Sequence, residues 1–167
     1  MLTYEEVTEL LEYRPDVGGS CLVWKKKAAK NTIIGSRAGC WDGSSYGRWF
    51  VRIRKKLYRA HRVVWLLNTG NWPTNQIDHI DGNPYNNAIA NLRECNQSEN
   101  NQNMVSHKNA TSEHIGVCFD RTRKKWMASI AVYGKSKYLG RFDNEQDAIK
   151  AYREAKAQLH AFNPVPR

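Results

Sequence analysis

Residues 77–103 read IDHIDGNPYNNAIANLRECNQSENNQN, a stretch rich in asparagine. It holds eight asparagines and begins with an Asp-His pair, Asp78 and His79, directly after the apolar Ile77. Residues 81–84 (DGNP) predict a turn, in which amides such as those at positions 83, 86 and 87 are expected to serve as turn residues. A turn accounts for the asparagines. The alternative interpretation of the preceding Asp-His pair is a capped turn, in which the hydrogen bonds of the histidine are satisfied within the turn.

The residues around this turn predict a β-hairpin followed by a helix. Neighbouring strand residues point to opposite faces, so the Asp-His pair reaches one pocket only from a strand end or a twisted strand. The return strand begins at residues 91–93, and Asn96 or Ser98 can cap a helix that holds Asn100. This order brings Asn100 back over the hairpin, opposite the aspartate of the pair.

These residue types suit the hydrolysis of a phosphodiester bond. Histidine accepts a proton from water near neutral pH. Mg²⁺ prefers oxygen ligands and keeps several waters, so one carboxylate and one amide oxygen are enough to hold it. Asp81 is a further possible ligand, although a turn role is favoured. His61 is a possible second catalytic histidine, although a structural role at a helix start is favoured.

The stretch DHIDGNPYNNAIANLRECNQSENNQN resembles the HNH nucleases of phages and introns, which follow the pattern DHxDGNxxxN…NLR…xxxN. The preceding AHRVVWLLNTGNWP is similar to the segment before the motif in phage members. The resemblance covers roughly residues 1–105. It implies an α+β fold with a ββα-metal (His-Me finger) nuclease domain.

The resemblance also implies a role for each motif residue. His79 is expected to be the general base, and Asn91 is expected to fix its orientation. Asp78 and Asn100 are expected to bind Mg²⁺ or Mn²⁺. Arg93 is expected to contact phosphate or to be structural. No cysteine pairs flank the motif, so a structural zinc is not expected.

The charge of the chain points to an anionic partner. The formal net charge is +10 and the pI is near 9.6, which favours nucleic acid over an anionic membrane surface. Residues 21–62 hold twelve Lys and Arg against Asp42 alone, with aromatic residues interleaved. This block predicts a phosphate-contacting surface, the alternative being a solvated face. Its expected DNA-contacting residues are Lys25, Lys26, Lys27, Arg52, Arg54, Lys55 and Lys56.

Two further signals concern location. No run of apolar residues is long enough for a membrane span, and the acidic amphipathic start MLTYEEVTELLEY does not resemble a signal peptide. We therefore expect an intracellular protein without a membrane partner, and the resemblance to phage nucleases implies that it is phage-encoded and acts in the cytoplasm of a bacterial host.

The remaining N-terminal pattern predicts a small set of elements. A helix is expected from Thr3 to Tyr13, with Thr3 as N-cap and Glu6 completing a capping box. Strands are expected at 22–24 and 49–53, and a helix is expected at 59–67. Trp65 and Trp72 are expected in the core.

After the polar segment 106–113, the pattern of apolar and polar residues differs from that of the N-terminal part. Strands are expected at 114–120, 126–133 and 138–142, followed by a helix capped by Asn144 and running to about residue 161. The segment 114–167 carries 11 Lys and Arg against 5 Asp and Glu, a net charge of +6. A small three-stranded antiparallel sheet with one helix is therefore expected here.

This segment resembles the Apetala or ethylene-response-factor DNA-binding domain in Gly116-Val117, in WMASI and YLGRF, and in the helix after Glu145. The resemblance implies a sheet laid in the major groove of DNA. The helix-facing residues are then Trp126, Ala128, Ile130 and Leu139. The open-face residues are Cys118, Asp120, Met127, Ser129, Ala131 and Tyr138. Plant members place several arginines on that face, and Cys118, Asp120 and Ala131 replace them here, so phosphate contact rather than base reading is the main expectation. The expected contacts are Arg121, Arg123, Lys124, Lys125, Lys135, Lys137, Tyr138 and Arg141.

Together these features predict three segments: a nuclease domain at 1–105, a linker at 106–113 and a DNA-binding domain at 114–167. The expected function is a free-standing, phage-type homing endonuclease that nicks or cuts double-stranded DNA and acts as a monomer on it. The alternative is a non-catalytic DNA-binding protein on a decayed nuclease fold.

Overall fold

The computed structural model describes residues 2–43, 47–102 and 110–160. Its internal contacts divide the chain into two units, Met1–Asn96 and Gln97–Arg167. The division therefore falls before residue 105, where the sequence placed the end of the nuclease domain. Half of the expected linker, residues 106–109, lies outside the described residues. Within the described ranges, no helix has both the length and the apolar character that crossing a membrane requires.

The first unit begins with helix α1 (Tyr4–Leu10). The predicted capping box is confirmed: the Thr3 hydroxyl accepts the Glu6 amide at 3.2 Å, and the Glu6 carboxylate accepts the Thr3 amide at 2.9 Å. The prediction that this helix continues to Tyr13 is wrong, because the backbone turns extended at Leu11 (φ −129°, ψ 152°).

Residues Leu11–Tyr13 instead form strand β1, which pairs antiparallel with β2 (Leu22–Trp24). The β1–β2 hairpin closes through a turn that includes Cys21, at a φ of 55°. The predicted strand at 22–24 is confirmed.

A second sheet follows, with strand order β3-β4-β5. Its strands are β3 (Cys40–Trp41), β4 (Trp49–Ile53) and β5 (Lys56–Arg59). β4 confirms the predicted strand, since its alternation buries Val51 and Ile53 while Arg52 is exposed. The chain leaves β5 directly into helix α2 (Ala60–Thr69), which ends at Gly70 in the left-handed conformation.

The core of this unit gathers the apolar faces of these elements. The fully buried side chains on α2 are Ala60, Val63, Val64 and Leu66. They pack with residues of α1, β2 and β4, and Trp65 and Trp72 lie against the same cluster, partly buried. Burying each such aliphatic side chain contributes roughly 1.5–3 kcal/mol, so α2 is held firmly beside the segment that follows it.

That segment forms a hairpin of β6 (Gln76–His79) and β7 (Leu92–Cys95). The two strands pair antiparallel, with Asp78 opposite Arg93 and His79 opposite Leu92. The loop between them spans twelve residues, 80–91, and contains the DGNP turn.

The second unit contains helix α3 (Gln97–Gln102), strands β8 (Val117–Asp120), β9 (Lys125–Val132) and β10 (Lys135–Phe142), and helix α4 (Glu145–Leu159). The strand order is β10-β9-β8 with antiparallel pairing. Asn144 caps α4 by accepting the Asp147 amide at 2.9 Å.

The sheet of this unit packs one face against α4. Ala128 and Ile130 are buried there with α4 residues, and Trp126 and Leu139 pack at the edge of the same core. Gly116 lets the sheet and α4 approach closely, since a Cβ at this position would lie 2.2 Å from the Tyr152 ring. The open-face residue Tyr138 is 54% exposed.

Candidate active site

The Asp-His pair lies at the end of β6, and both side chains are buried, each 7% exposed. Asp78 meets Arg93 on the neighbouring strand: the Arg93 Nη2 and Nε atoms donate to Oδ2 at 2.9 and 3.1 Å. The structure thus places Arg93 on the carboxylate that was expected to bind metal. Directly after the pair, the Ile80 amide bonds the Asn91 carbonyl at 2.8 Å, so the two strands stay joined where the loop begins.

One nitrogen of His79 is held by an amide. Its Nε2 lies 3.0 Å from Oδ1 of Asn87, which is 1% exposed. The Nδ2 of the same amide donates to the Gly19 carbonyl at 2.6 Å. Because a carbonyl only accepts hydrogen bonds, the amide nitrogen faces Gly19 and its oxygen faces His79. Neutral His79 therefore carries its proton on Nε2, and Nδ1 is its basic nitrogen.

The side chain of Asn91, which was expected to fix the orientation of His79, bonds to other groups of the loop. The Asn91 Oδ1 accepts the Asp81 amide at 3.0 Å, and its Nδ2 donates to Asp81 Oδ1 and to the Asn86 carbonyl, both at 2.9 Å. Asn91 therefore ties the loop together, and Asn87, expected only as a turn residue, is the amide that meets the histidine. The signal for Asn87 was present as the last asparagine of the DHxDGNxxxN pattern.

Asp81 acts as the centre of the loop. Its carboxylate accepts the Asn83 amide at 2.7 Å and the Asn86 side chain at 2.8 Å, besides Asn91. Although burial opposes the change, these hydrogen bonds lower the pKa of Asp81. The favoured turn role thus agrees with its contacts.

His61, at the start of α2, lies beside His79. The two ring centroids are 5.3 Å apart and the rings are nearly perpendicular, at 89°. Burial lowers the pKa of His61 to about 3, and the nearby charges of His79 and the arginines act in the same direction. Burial also lowers the pKa of His79, against the effect of its bond to Asn87. Both rings are therefore neutral at pH 7, and a neutral histidine is the form that accepts a proton.

Arg48, a half-buried cation near the two histidines, was not predicted as a site residue from the sequence. Burial, followed by the charge of Arg59, lowers the pKa of Arg48. The charge of Arg48 in turn lowers the pKa values of His61 and His79. The indication of Arg48 in the sequence was its place in the basic, aromatic block 21–62.

The aromatic residues of that block stack on each other. Trp41 stacks on Tyr85 of the 80–91 loop, with ring centroids 3.9 Å apart and planes at 19°. Trp41 also lies 6.2 Å from Trp49, and the Arg37 guanidinium lies 5.6 Å from the Trp49 ring. Tyr85 remains 51% exposed, so an aromatic surface borders the 80–91 loop, whose Asn87 bonds His79.

The expected metal ligands are described within separate units. Asp78 lies on β6 of the first unit, and Asn100 lies half-buried on α3 of the second. Over the described ranges, no group of three or more His, Cys, Asp and Glu side chains could hold a metal ion. Oxygen donors of the kind that Asp78 and Asn100 supply suit Mg²⁺, which needs few protein ligands.

The expected DNA-contacting cations fall into two sets. Several form ion pairs: Lys26 with Glu9, Arg54 with Glu6, Lys125 with Asp143, and both Arg123 and Arg141 with Asp120. Lys25 is exposed and donates to the Thr8 carbonyl at 2.7 Å. The other exposed members are Lys27, Arg52, Lys55, Lys56, Arg121, Lys124, Lys135 and Lys137.

Two comparisons bear on this site. A family model described as HNH endonuclease matches residues 58–102, which contain α2, the β6–β7 hairpin and α3. The chain is also 39% identical over 85 residues to "Protein 3.8" of Escherichia phage T7, covering 48% of this chain and 70% of that relative. No solved structure matches the chain significantly. The matched model ends before residue 114, so the likeness of the C-terminal segment to the Apetala domain stays a prediction.

Proposed function

We propose a function from one premise: the chain belongs to the family of phage T7 Protein 3.8 and carries an HNH endonuclease domain at residues 58–102. It is a metal-dependent endonuclease that hydrolyses phosphodiester bonds in double-stranded DNA. We assign it to the free-standing homing type, acting in the cytoplasm of a phage-infected bacterium. The net charge of +10 supports a DNA substrate.

The observation that carries this proposal is the held imidazole of His79. The bond from Nε2 to Asn87 leaves Nδ1 as the basic atom, and burial keeps the ring neutral at pH 7. His79 Nδ1 takes a proton from the attacking water, whose oxygen forms a bond to phosphorus. The bond from phosphorus to the leaving oxygen breaks, and that oxygen leaves as the strand end.

A divalent ion such as Mg²⁺ or Mn²⁺ supplies charge stabilisation at the phosphate and the leaving oxygen when it is bound. Asp78 is the residue of the first unit that we assign to hold it. The role of Asn100 as a second ligand follows from the resemblance. Arg93 donates two hydrogen bonds to Asp78 and so fixes the orientation of that carboxylate. Of the two roles expected for Arg93, phosphate contact and a structural role, we assign the structural one.

The second unit is assigned to DNA anchoring. We assign phosphate contact to its exposed cations, while Arg123 and Arg141 pair with Asp120. Such contacts set affinity and register more than sequence choice.

A plasmid assay tests the proposed function. Supercoiled plasmid is incubated with the full chain and Mg²⁺, with or without EDTA, and the His79→Ala variant controls for contaminating nuclease. Relaxed product indicates nicking, and linear product indicates double-strand cleavage. If the wild-type protein retards DNA in a gel yet leaves every plasmid supercoiled, the non-catalytic alternative is correct.

A further inference from the structure

The β1–β2 hairpin, residues 11–24, contacts the loop that holds His79 at three points. The Gly19 carbonyl accepts Nδ2 of Asn87, 68 residues away, at 2.6 Å. Burial raises the pKa of the Cys21 thiol, and the nearby Asn87 backbone amide opposes that change. The Tyr13 hydroxyl accepts the Ile89 amide, 76 residues away, at 2.9 Å. Contacts of this kind fix both the position of Asn87 and the rotation of its side-chain amide.

The direction of the Gly19 bond has a chemical consequence. An amide turned by 180° would set its oxygen against the Gly19 carbonyl, and two acceptors so close repel each other. The same turned amide would donate to His79 Nε2 and favour the tautomer protonated at Nδ1, which has no lone pair at that atom. The hairpin therefore selects which nitrogen of His79 is basic.

We infer that the β1–β2 hairpin is a positioning element of the active site, in which Gly19 and Tyr13 hold Asn87 and thereby set the tautomer and orientation of His79. This inference rests on the proposed function for its effect on cleavage. The hairpin lies outside the segment 58–102 that matches the family model. Residues distant in sequence from the motif are thus part of what makes the histidine a base.

Two adjacent glycines offer a matched pair of variants. Gly18 and Gly19 both lie at positive φ, 60° and 58°, so alanine is strained at either position. A Cβ at Gly19 would lie 2.6 Å from the Trp49 ring, whereas a Cβ at Gly18 would meet nothing within 4 Å. Gly19→Ala should therefore shift the carbonyl that holds Asn87, and Gly18→Ala should leave it in place.

The first measurement is cleavage by full-length variants. Gly19→Ala should lower the single-turnover rate by roughly tenfold to a hundredfold, the cost of a small displacement of a catalytic group. Its affinity for the same DNA, measured in EDTA, should match that of Gly18→Ala. Tyr13→Phe, which removes only the acceptor of the Ile89 amide, gives a second variant if Gly19→Ala fails to fold, and Tyr4→Phe is its control. Equal rates for Gly18→Ala and Gly19→Ala, or for Tyr13→Phe and Tyr4→Phe, would overturn the inference.

The second measurement does not depend on cleavage. Proton–nitrogen correlation spectra of ¹⁵N-labelled protein at alkaline pH report the tautomer of each neutral histidine, with the His79 signal identified by its loss in His79→Gln. Wild type and Gly18→Ala should show His79 protonated at Nε2, and Gly19→Ala should show a mixture of tautomers. If this pattern is found in a protein that cuts no DNA, positioning stands and the proposed function fails. A wild-type His79 protonated at Nδ1 overturns the inference whatever the cleavage result.

Discussion

Buried His61 predicts a loss of stability in acid that one substitution should remove. Its side chain is 4% exposed, and burial lowers its pKa from 6.5 to about 3. At pH values between these two, the unfolded chain binds a proton at His61 and the folded chain does not. The stabilising contribution of this group is therefore complete above about pH 6.5 and is lost as the pH falls towards 3.

The size of this effect follows from the shift. Between pH 7 and pH 5, the free energy of unfolding of the first unit should fall by about 2 kcal/mol because of His61 alone. His79, whose pKa is also lowered by burial, adds a loss in the same direction. His61→Phe keeps an aromatic ring beside His79 and removes one titrating group. Its unfolding free energy should therefore fall by about 2 kcal/mol less than that of wild type over this interval.

Urea titrations at pH 7 and pH 5, in EDTA and followed by tryptophan fluorescence, provide the measurement. Five of the six tryptophans (24, 41, 49, 65 and 72) lie in the first unit, so the signal reports mainly on that unit. His114→Gln, in the second unit, serves as the control and should lose as much stability as wild type. An equal loss for His61→Phe and wild type would refute the assignment of a neutral, buried His61.

Three further predictions concern the metal, the charges and a helix cap. Asp78→Ala and Asn100→Ala should each lower Mg²⁺-dependent cleavage, with partial rescue by raised Mg²⁺ or by Mn²⁺ in a metal titration. Damage from Asn103→Ala with a silent Asn100→Ala would contradict the assignment of Asn100. Replacing Arg121, Lys124 and Lys135 by Gln should flatten the log–log salt dependence of DNA binding by about 0.9 for each phosphate that the variant no longer neutralises, and an unchanged slope would mean that these side chains do not touch DNA. Asn144→Ala should destabilise the second unit by about 1 kcal/mol in thermal or urea unfolding, since it removes the bond to the Asp147 amide, and no change would show that this cap contributes nothing.

Local patterns were enough to predict several elements. The alternation of residues 49–53 predicted β4, and the Thr3-Glu6 capping box predicted the start of α1. These features depend on residues within one or two turns of each other, so the sequence carries them directly.

Other elements depend on distant partners. Leu10 and Leu11 continue the apolar face of a helix, so Leu11–Tyr13 looked helical, yet it forms a strand because Leu22–Trp24 pairs with it. The charged residues of Lys56–Arg59 obscured its strand pattern in the sequence, and this segment forms a strand because it pairs with β4. Tertiary pairing overrides local propensity at both places.

The site was predicted in its residues more than in its contacts. The Asp-His pair was found from the motif, but which amide meets His79 depends on the path of the 80–91 loop. That path is set by Asp81 within the loop and by Gly19, far away in sequence. No periodicity records such a contact, so the sequence marked Asn87 only as the last asparagine of the DHxDGNxxxN pattern.

The central claim is that His79 is the general base of a metal-dependent DNA endonuclease, and one rate tests it most directly. Single-turnover relaxation of supercoiled plasmid in Mg²⁺ is compared for wild type and His79→Ala, after binding in EDTA has shown equal DNA affinity. Wild type should convert the plasmid, and His79→Ala should lose roughly 10²–10⁴-fold in rate, the usual contribution of a positioned base. Cleavage by His79→Ala within about tenfold of the wild-type rate, well short of that contribution, would contradict the account.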